Sequence, residues 1–520
     1  MSLKQNSNME IKNSIAELKC KKKICIFSRI KKLTSVFLFL LILMFSSCED
    51  YLELLPPDGL VEDEYWKKKE DVEAVLMGAY QKFAQLHDEL FLYGELRGDM
   101  LEILRAPTYQ TQIIFGNIEP DNQLCQWGDF YEVINLCNFV IEYAPGILNI
   151  DNTFTEFQMR GYQAEAKFLR GLAYFYLVRI FKDVPLVLEP TDSDGKDFFP
   201  SKSADTTILR IIKEDLKTAV NTVREDYGNL EDNKGRASKA AINALIADIA
   251  LWNFEYEECL TYINNIEDLE YELLLPADYY DIYFPGNSLE SIYELQFDQS
   301  LNQASSLNPL ILRNNGDYRA SLYAIEILSP ASSGEIVRGY ASLGMITEDD
   351  YIIWKYQGTE PDGQSNRGGS INRSQNWIIY RYADILLMKA EALSQRANPD
   401  YESAEIIINE IRTRALLNTV DIPDNPIAFE DAILLERAKE LCYEGKRWFD
   451  LVRMGRRNNY LRKDNLIKII IEDVSSTQKL VLASKLTDPN GWYLPIHFNE
   501  LEANGNLEQN PYYEAYQQVD

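Results

Sequence analysis

The sequence predicts a mostly α protein with a long irregular insert, on three observations. Apolar residues recur at three- and four-residue spacing in one segment after another. A period-two alternation at Tyr293, Leu295 and Phe297 marks a short strand, and residues 300–376 are rich in Asn, Gly and Ser with no sustained period. With 520 residues, 46% of them hydrophobic and 26% charged, the chain has material for a large core.

In chain order, the first feature is basic sequence from Lys21 to Lys32 followed by an apolar run from Leu33 to Phe45, the layout of a secretory signal starting at Met1 or Met9. Thirteen residues at a helical rise of about 1.5 Å span roughly 20 Å, short of the ~30 Å hydrocarbon core, so a spanning helix is the weaker alternative. The end of the run, "FSSC", resembles a bacterial lipobox, in which a cysteine, here Cys48, is lipidated and becomes the mature N-terminus. Phe45 stands where Leu is common, and the alternative is that Cys48 simply ends a soluble signal peptide. Glu49 and Asp50 resemble the surface-export signal of Bacteroidetes lipoproteins.

After a Pro-Pro piece, Val72, Val75, Leu76, Ala79, Tyr80 and Phe83 form a helical stripe. Trp127–Ala144 follows, with Phe130, Ile134, Cys137 and Ile141 on one face. Phe157–Val187 contains a long helix that stops before Pro185. "DTTILRIIKEDLKTAVNTV" and "ASKAAINALIADIALWNF" make a further pair. Beyond the irregular region, Asn376–Gln395 reads as a helix with a stripe at Ile378, Tyr382, Ile385 and Leu386, and "YESAEIIINEIRTRAL" as its partner. Two such helices joined by a short Asn-Pro-Asp link, with alanines at the contact, resemble a tetratricopeptide unit of about 34 residues. The earlier pairs read as degenerate copies.

Charge and composition exclude several functions. The formal charge is −29, and residues 1–47 carry a surplus of seven positive charges, so the remainder carries −36. Such a surface repels nucleic acid and anionic lipid. The seven cysteines and two histidines form no metal-ligand spacing, and neither His87 nor His497 sits in a catalytic motif. The charged run "LLERAKELCYEGKRWFDLVRMGR" places Glu436, Glu440 and Glu444 at i, i+4 and i+8 among Arg437, Arg447, Asp450 and Arg453. A glycosidase needs two carboxyls about 5–9.5 Å apart across an open cleft; glutamates stacked on a helix beside arginines read instead as an ion-paired seam, as do Arg381, Asp384 and Glu391.

Eight motifs then fall in one order. They are "CEDYLELLPP", "DVEAVLMGAYQKF", "AEAKFLRGLAYFYLVRIFKDVPLV", "YYDIYFPGNSLESIYELQF", "YRYADILLMKAEAL", "ESAEIIINEIRTRA", "LLERAKELCYEGKRWFDLVRMGR" and "WYLPIHFNELEANGNLEQNPYY". Together they resemble the SusD/RagB family of outer-membrane nutrient-binding lipoproteins along the whole mature chain, with Lys182 in place of a usual glycine and His497-Phe498 where the family often has Pro-x-x-Glu. The resemblance implies about four tetratricopeptide-like helical pairs as a scaffold, with an irregular mixed α/β and loop region packed on it. It implies a signal peptide at 1–47, a lipidated tether at 48–60 and one domain over 61–520: helical pairs at about 61–265 and 376–460, a ligand-facing region at about 266–375, and a C-terminal segment, 461–520, docked on the body.

The implied role is non-catalytic: capture of oligosaccharide or another nutrient oligomer at the outer-membrane surface and its delivery to a SusC-type TonB-dependent transporter. The alternatives are a surface glycoside hydrolase and a peptide- or protein-binding tetratricopeptide scaffold. No cofactor is expected, and no calcium site is indicated. In the family the ligand surface draws on the loop after the first helices and on the irregular middle, which makes Asp99, Arg105, Tyr109, Tyr318, Arg319, Tyr340, Trp354 and Tyr356 the candidates here. Sugar recognition needs an aromatic face for the ring's C–H patch and planar polar groups for its hydroxyls. Trp127, Trp252, Trp377 and Trp448 fall in helical patterns and are assigned to the core.

Overall fold

Periodic apolar faces produce the helical body. The computed structural model describes residues 65–191, 198–269, 271–312, 316–347 and 350–518. The signal segment, the tether at 48–60 and Cys48 lie outside the described residues. Helix α1 (Lys69–Gln85) buries Val72, Val75, Leu76, Ala79 and Phe83, the four larger side chains contributing about 1.5–3 kcal/mol each through burial. Helix α2 (His87–Glu95) follows at once. Helices α3 (Gly128–Ile147) and α4 (Glu156–Phe181) pack on each other, and α4 packs also on α5 (Asp205–Ala219). A capping box starts α4: the Thr155 hydroxyl accepts from the Gln158 N–H, and the Gln158 side chain accepts from the Thr155 N–H. The helix ends at Lys182 with φ 71°, a left-handed conformation that suits glycine. The residue that replaces the family's glycine therefore sits where a Cβ is strained.

Helices α6 (Lys239–Trp252) and α7 (Tyr256–Glu267) form the next pair, then α8 (Tyr382–Gln395) with α9 (Tyr401–Arg414), and α10 (Pro426–Glu440) with α11 (Arg447–Tyr460). Small residues let the middle of this array close: α6 carries five alanines and buries all but its first residue. α8 joins neighbouring pairs by packing on α7, α9 and α10. Residues Trp66–Asp520 form one compact unit. Among the described residues no helix is long and apolar enough to cross a membrane.

The region between α7 and α8 is built of short strands, short helices and turns. β1 (Leu101–Ile103) pairs antiparallel with β3 (Tyr318–Ala320), β2 (Ser291–Leu295) with β6 (Trp377–Arg381), and β4 (Leu343–Thr347) with β5 (Asp350–Ile353). Two expectations change here. The helix expected over Asn376–Gln395 begins only at Tyr382, because the β-branched and aromatic run "WIIYR" completes its backbone hydrogen bonds on β2. The strand expected from the alternation of Tyr293, Leu295 and Phe297 ends at Leu295, and all its residues are buried, the polar Ser291 and Glu294 among them. Its period of two reflects side-chain chemistry, not exposure.

Buried charge fastens this region to the helices. Arg381 uses its whole guanidinium: Nη1 donates to Glu290 at 2.5 Å and to Glu440 at 2.7 Å, Nη2 to the Glu440 carbonyl at 2.7 Å and Glu444 at 3.0 Å, and Nε to Glu444 at 2.9 Å. Arg338 joins Glu335, Glu436 and Glu440, and Arg414 joins Glu290 and Glu440. The Lys355 ammonium donates to the carbonyls of Glu440 and Cys442 and to the Glu444 carboxylate. These cations hold the carboxyls of Glu440 and Glu444 below the usual carboxylate range against the opposing effect of burial. The three glutamates do form an ion-paired seam. Glu444, however, lies on the turn beyond α10 and not on the helix. A second cluster joins Arg437, Arg453 and Arg457 to Asp384, Glu391 and Asp450.

The C-terminal segment docks through amides. Gln509 accepts from the Ile496 N–H at 2.8 Å and donates to the Ile496 carbonyl at 2.9 Å, while Asn510 donates to the Asn490 carbonyl.

Candidate functional site

The loop after α2 and the irregular middle meet in one ladder. Leu101 faces Ala320, Glu102 faces Arg319, and Ile103 faces Tyr318. Beyond the last pair, the N–H groups of Leu104 and Arg105 both donate to the Asp317 carbonyl, at 2.8 and 3.2 Å. Segments more than 200 residues apart thus share an edge.

On that edge, Arg319 grips Glu102 through Nε and Nη2, each at 3.0 Å, and both side chains remain partly exposed. Arg105 is exposed, and Tyr109 is half-buried on the short helix Thr108–Ile114. The Tyr109 hydroxyl accepts from Gln110 at 3.0 Å, and the Gln110 carbonyl oxygen accepts from the buried Tyr318 hydroxyl. Asn122 closes the loop from behind by donating to the Tyr109 carbonyl and to Gln112, both at 2.8 Å. Tyr109 is therefore fixed at its backbone and at its hydroxyl, with part of the ring left open.

The electrostatics of this edge involve residues with no sequence signal of their own. Partial burial, then the charges of Asp88, Asp317 and Glu89, push the Tyr109 phenol upward. Burial, reinforced by Asp88 and Asp129, pushes the Glu89 carboxyl up to about 7. A partly open aromatic ring can stack on a sugar face, and the exposed polar groups of the same edge can donate to and accept from its hydroxyls. Among the described residues, no group of three His, Cys, Asp or Glu is placed to hold a metal ion.

The other expected residues lie elsewhere. Asp99 is held by Arg447 in a bidentate pair, 2.7 Å at each oxygen, which ties the loop to α11. Tyr318, Trp354 and Tyr356 are buried and so are not surface contacts. Trp354 is enclosed because Gly344 and Gly358 leave room for its indole: a Cβ on Gly358 would lie 2.4 Å from the ring. Its Nε1 donates to the Glu360 carbonyl at 2.7 Å. Tyr356 fills the space between Tyr283 and Trp377. Tyr340 is 52% exposed on the segment leading into β4, whose partner β5 packs on β3. Of the eight candidates, Arg105, Tyr109, Arg319 and Tyr340 are at the surface. The four tryptophans assigned to the core are buried, Trp377 on a strand and not on a helix.

Known proteins share this architecture. A family model described as "Starch-binding associating with outer membrane" matches residues 50–251, and one described as "SusD family" matches residues 342–513. The chain is 27% identical to SusD-like protein P38 of Formosa agariphila, over 93% of this chain and 100% of that protein. Among solved structures, surface glycan-binding protein A from Bacteroides uniformis has a TM-score of 0.71 at 22% identity, covering 86% of this chain and 100% of its own. A laminarin binding SusD-like protein has a TM-score of 0.67 at 20% identity, with coverage of 86% and 100%. A helical tetratricopeptide-like scaffold carrying a largely non-helical face is a SusD-like fold. SusD family models thus match both the N-terminal and the C-terminal part of the chain, which is similar to the SusD/RagB family.

Proposed function

We propose that this protein is a non-catalytic surface lipoprotein that captures oligosaccharides at the edge formed by β1 and β3 and delivers them to a SusC-type TonB-dependent outer-membrane transporter. The observation that carries this reading is the placement of Tyr109, Arg105 and the Arg319–Glu102 pair on one partly exposed edge. The names of its relatives, glycan-binding and laminarin-binding, point the same way. The charge of −29 favours a neutral glycan over an acidic one. The carboxylates that the sequence offered to a hydrolase, Glu436, Glu440 and Glu444, are buried against cations, which supports binding over hydrolysis.

Tyr109→Ala should weaken binding of starch- or laminarin-derived oligosaccharide at least tenfold in calorimetry, about 1.4 kcal/mol or more, with an unchanged unfolding midpoint. Equal affinity for a glucan that the native protein binds would remove Tyr109 from the site. Release of reducing ends by the pure protein would favour the hydrolase. Anchoring is assigned to lipid on Cys48. Cys48→Ala should then leave the protein out of the outer-membrane fraction and without labelled palmitate; a variant that still carried the label there would refute the anchor.

A further inference from the structure

We infer a second saccharide-binding site, in the cleft between α1, strand β2 and the turn 302–306. The cleft encloses about 710 Å³, inside the range of roughly 300–1,000 Å³ typical of small-ligand sites. Five side-chain amides line it; Gln296 is taken up by Asn287 and Asn376, and the other four are Gln81 and Gln85 from α1 and Asn302 and Gln303 from the turn. All four are exposed, and among the described residues none of these amide groups hydrogen-bonds to another part of the chain. A planar amide offers a donor and an acceptor side by side, the pattern that neighbouring sugar hydroxyls require.

The wall and floor of the cleft fit the same ligand. Phe297 lines it as a half-buried ring, held 4.3 Å from the ring of His87. Tyr293 lines it from beneath; its side chain is fully buried, and its hydroxyl has no hydrogen-bond partner. Gly78 stands on the cleft wall in the middle of α1, a position where glycine weakens a helix, and a Cβ there would meet no heavy atom within 4 Å. The glycine leaves the cleft open where another residue would narrow it. The wall's cation, Arg236, is already neutralised by a bidentate pair with Glu165, at 2.8 Å for each bond. Uncharged amides with an aromatic ring favour a neutral saccharide over a phosphate or a charged peptide.

The ligand class rests on the proposed function, whereas the location rests on the cleft alone.

The test uses the mature chain without its N-terminal cysteine, residues 49–520, with maltoheptaose and laminariheptaose as probes, read by hydrogen exchange and calorimetry. One of the two sugars should slow exchange in segments 74–87 and 295–306, and should still do so in Tyr109→Ala. Gly78→Phe, which fills the open wall, should abolish that protection or weaken the cleft at least tenfold while protection at 104–112 persists. The double change Gln81→Ala, Gln303→Ala alters only exposed side chains and should act in the same direction. Protection at 104–112 alone overturns the cleft and leaves the proposed function standing. Protection at neither place overturns both. Cleft protection that survives the Gly78 and double variants also overturns the assignment.

Discussion

Arg381→Met is expected to lower unfolding stability by about 3–5 kcal/mol or more, measured as a shift of the denaturant midpoint at unchanged slope. Arg381 and its partners Glu290, Glu440 and Glu444 are fully buried, and the guanidinium makes five hydrogen bonds to them. Methionine fills similar volume but leaves three carboxylates facing one another, with Arg414, Arg338 and Lys355 to offset them. Arg381→Lys should rescue little, because an ammonium cannot reproduce the planar fork that spans β6, the turn after α10 and Glu290. A loss below about 1 kcal/mol would mean that the remaining cations or entering water neutralise the cluster, and that the seam does not fasten the irregular region.

Gly94→Ala should be comparably severe, costing about 3 kcal/mol or more and leaving little folded protein in a thermal melt. Gly94 lies in α2, and a Cβ there would fall 1.9 Å from the Gly445 carbonyl oxygen and 2.1 Å from its carbon. Both are backbone atoms of a turn that has little freedom to move. Gly445 itself has φ +70°, and its N–H donates to the buried Glu95 carboxylate at 2.9 Å. This turn carries Glu444 into the Arg381 cluster, so displacing it would disturb the same buried charges. Gly146→Ala is the matched control: its Cβ would meet nothing within 4 Å, and the change should be neutral or stabilising by up to about 1 kcal/mol. Equal melts for the two variants would show that the α2 contact yields easily.

Much of the scaffold was legible because helix burial is a local property of residue spacing. The stripe on α1 needs only about a dozen consecutive residues, and it is present as the sequence implies. The charged run around Glu436 also announced itself, since arginines and glutamates at helical spacing beside tryptophan can be buried only in pairs. Its arrangement was less legible, because Glu444 leaves the helix to meet Arg381 and Lys355.

The candidate site divided along the same line. The two segments expected to carry it do come together, as β1 and β3. Which of their side chains reach solvent depended on partners far away in the chain. Trp354, by sequence equally a surface stacking ring or a ring buried beneath the loops, is enclosed by the glycines of its own segment. Asp99 looked available until Arg447, 348 residues later, was placed against it. Asp88, Glu89 and Asp317 gave no signal at all, because their influence on Tyr109 exists only once the segments meet.

By itself, then, the sequence determined the class of this protein: a helical-pair scaffold with an irregular insert and an acidic surface unsuited to polyanions. Tertiary structure alone decided which aromatics are surface and which are core, where the glutamates find their cations, and that a cleft opens beside α1. The physical reason is range. Periodicity and capping are set between residues a few positions apart, while burial of a loop side chain is set by whatever the rest of the chain brings to it.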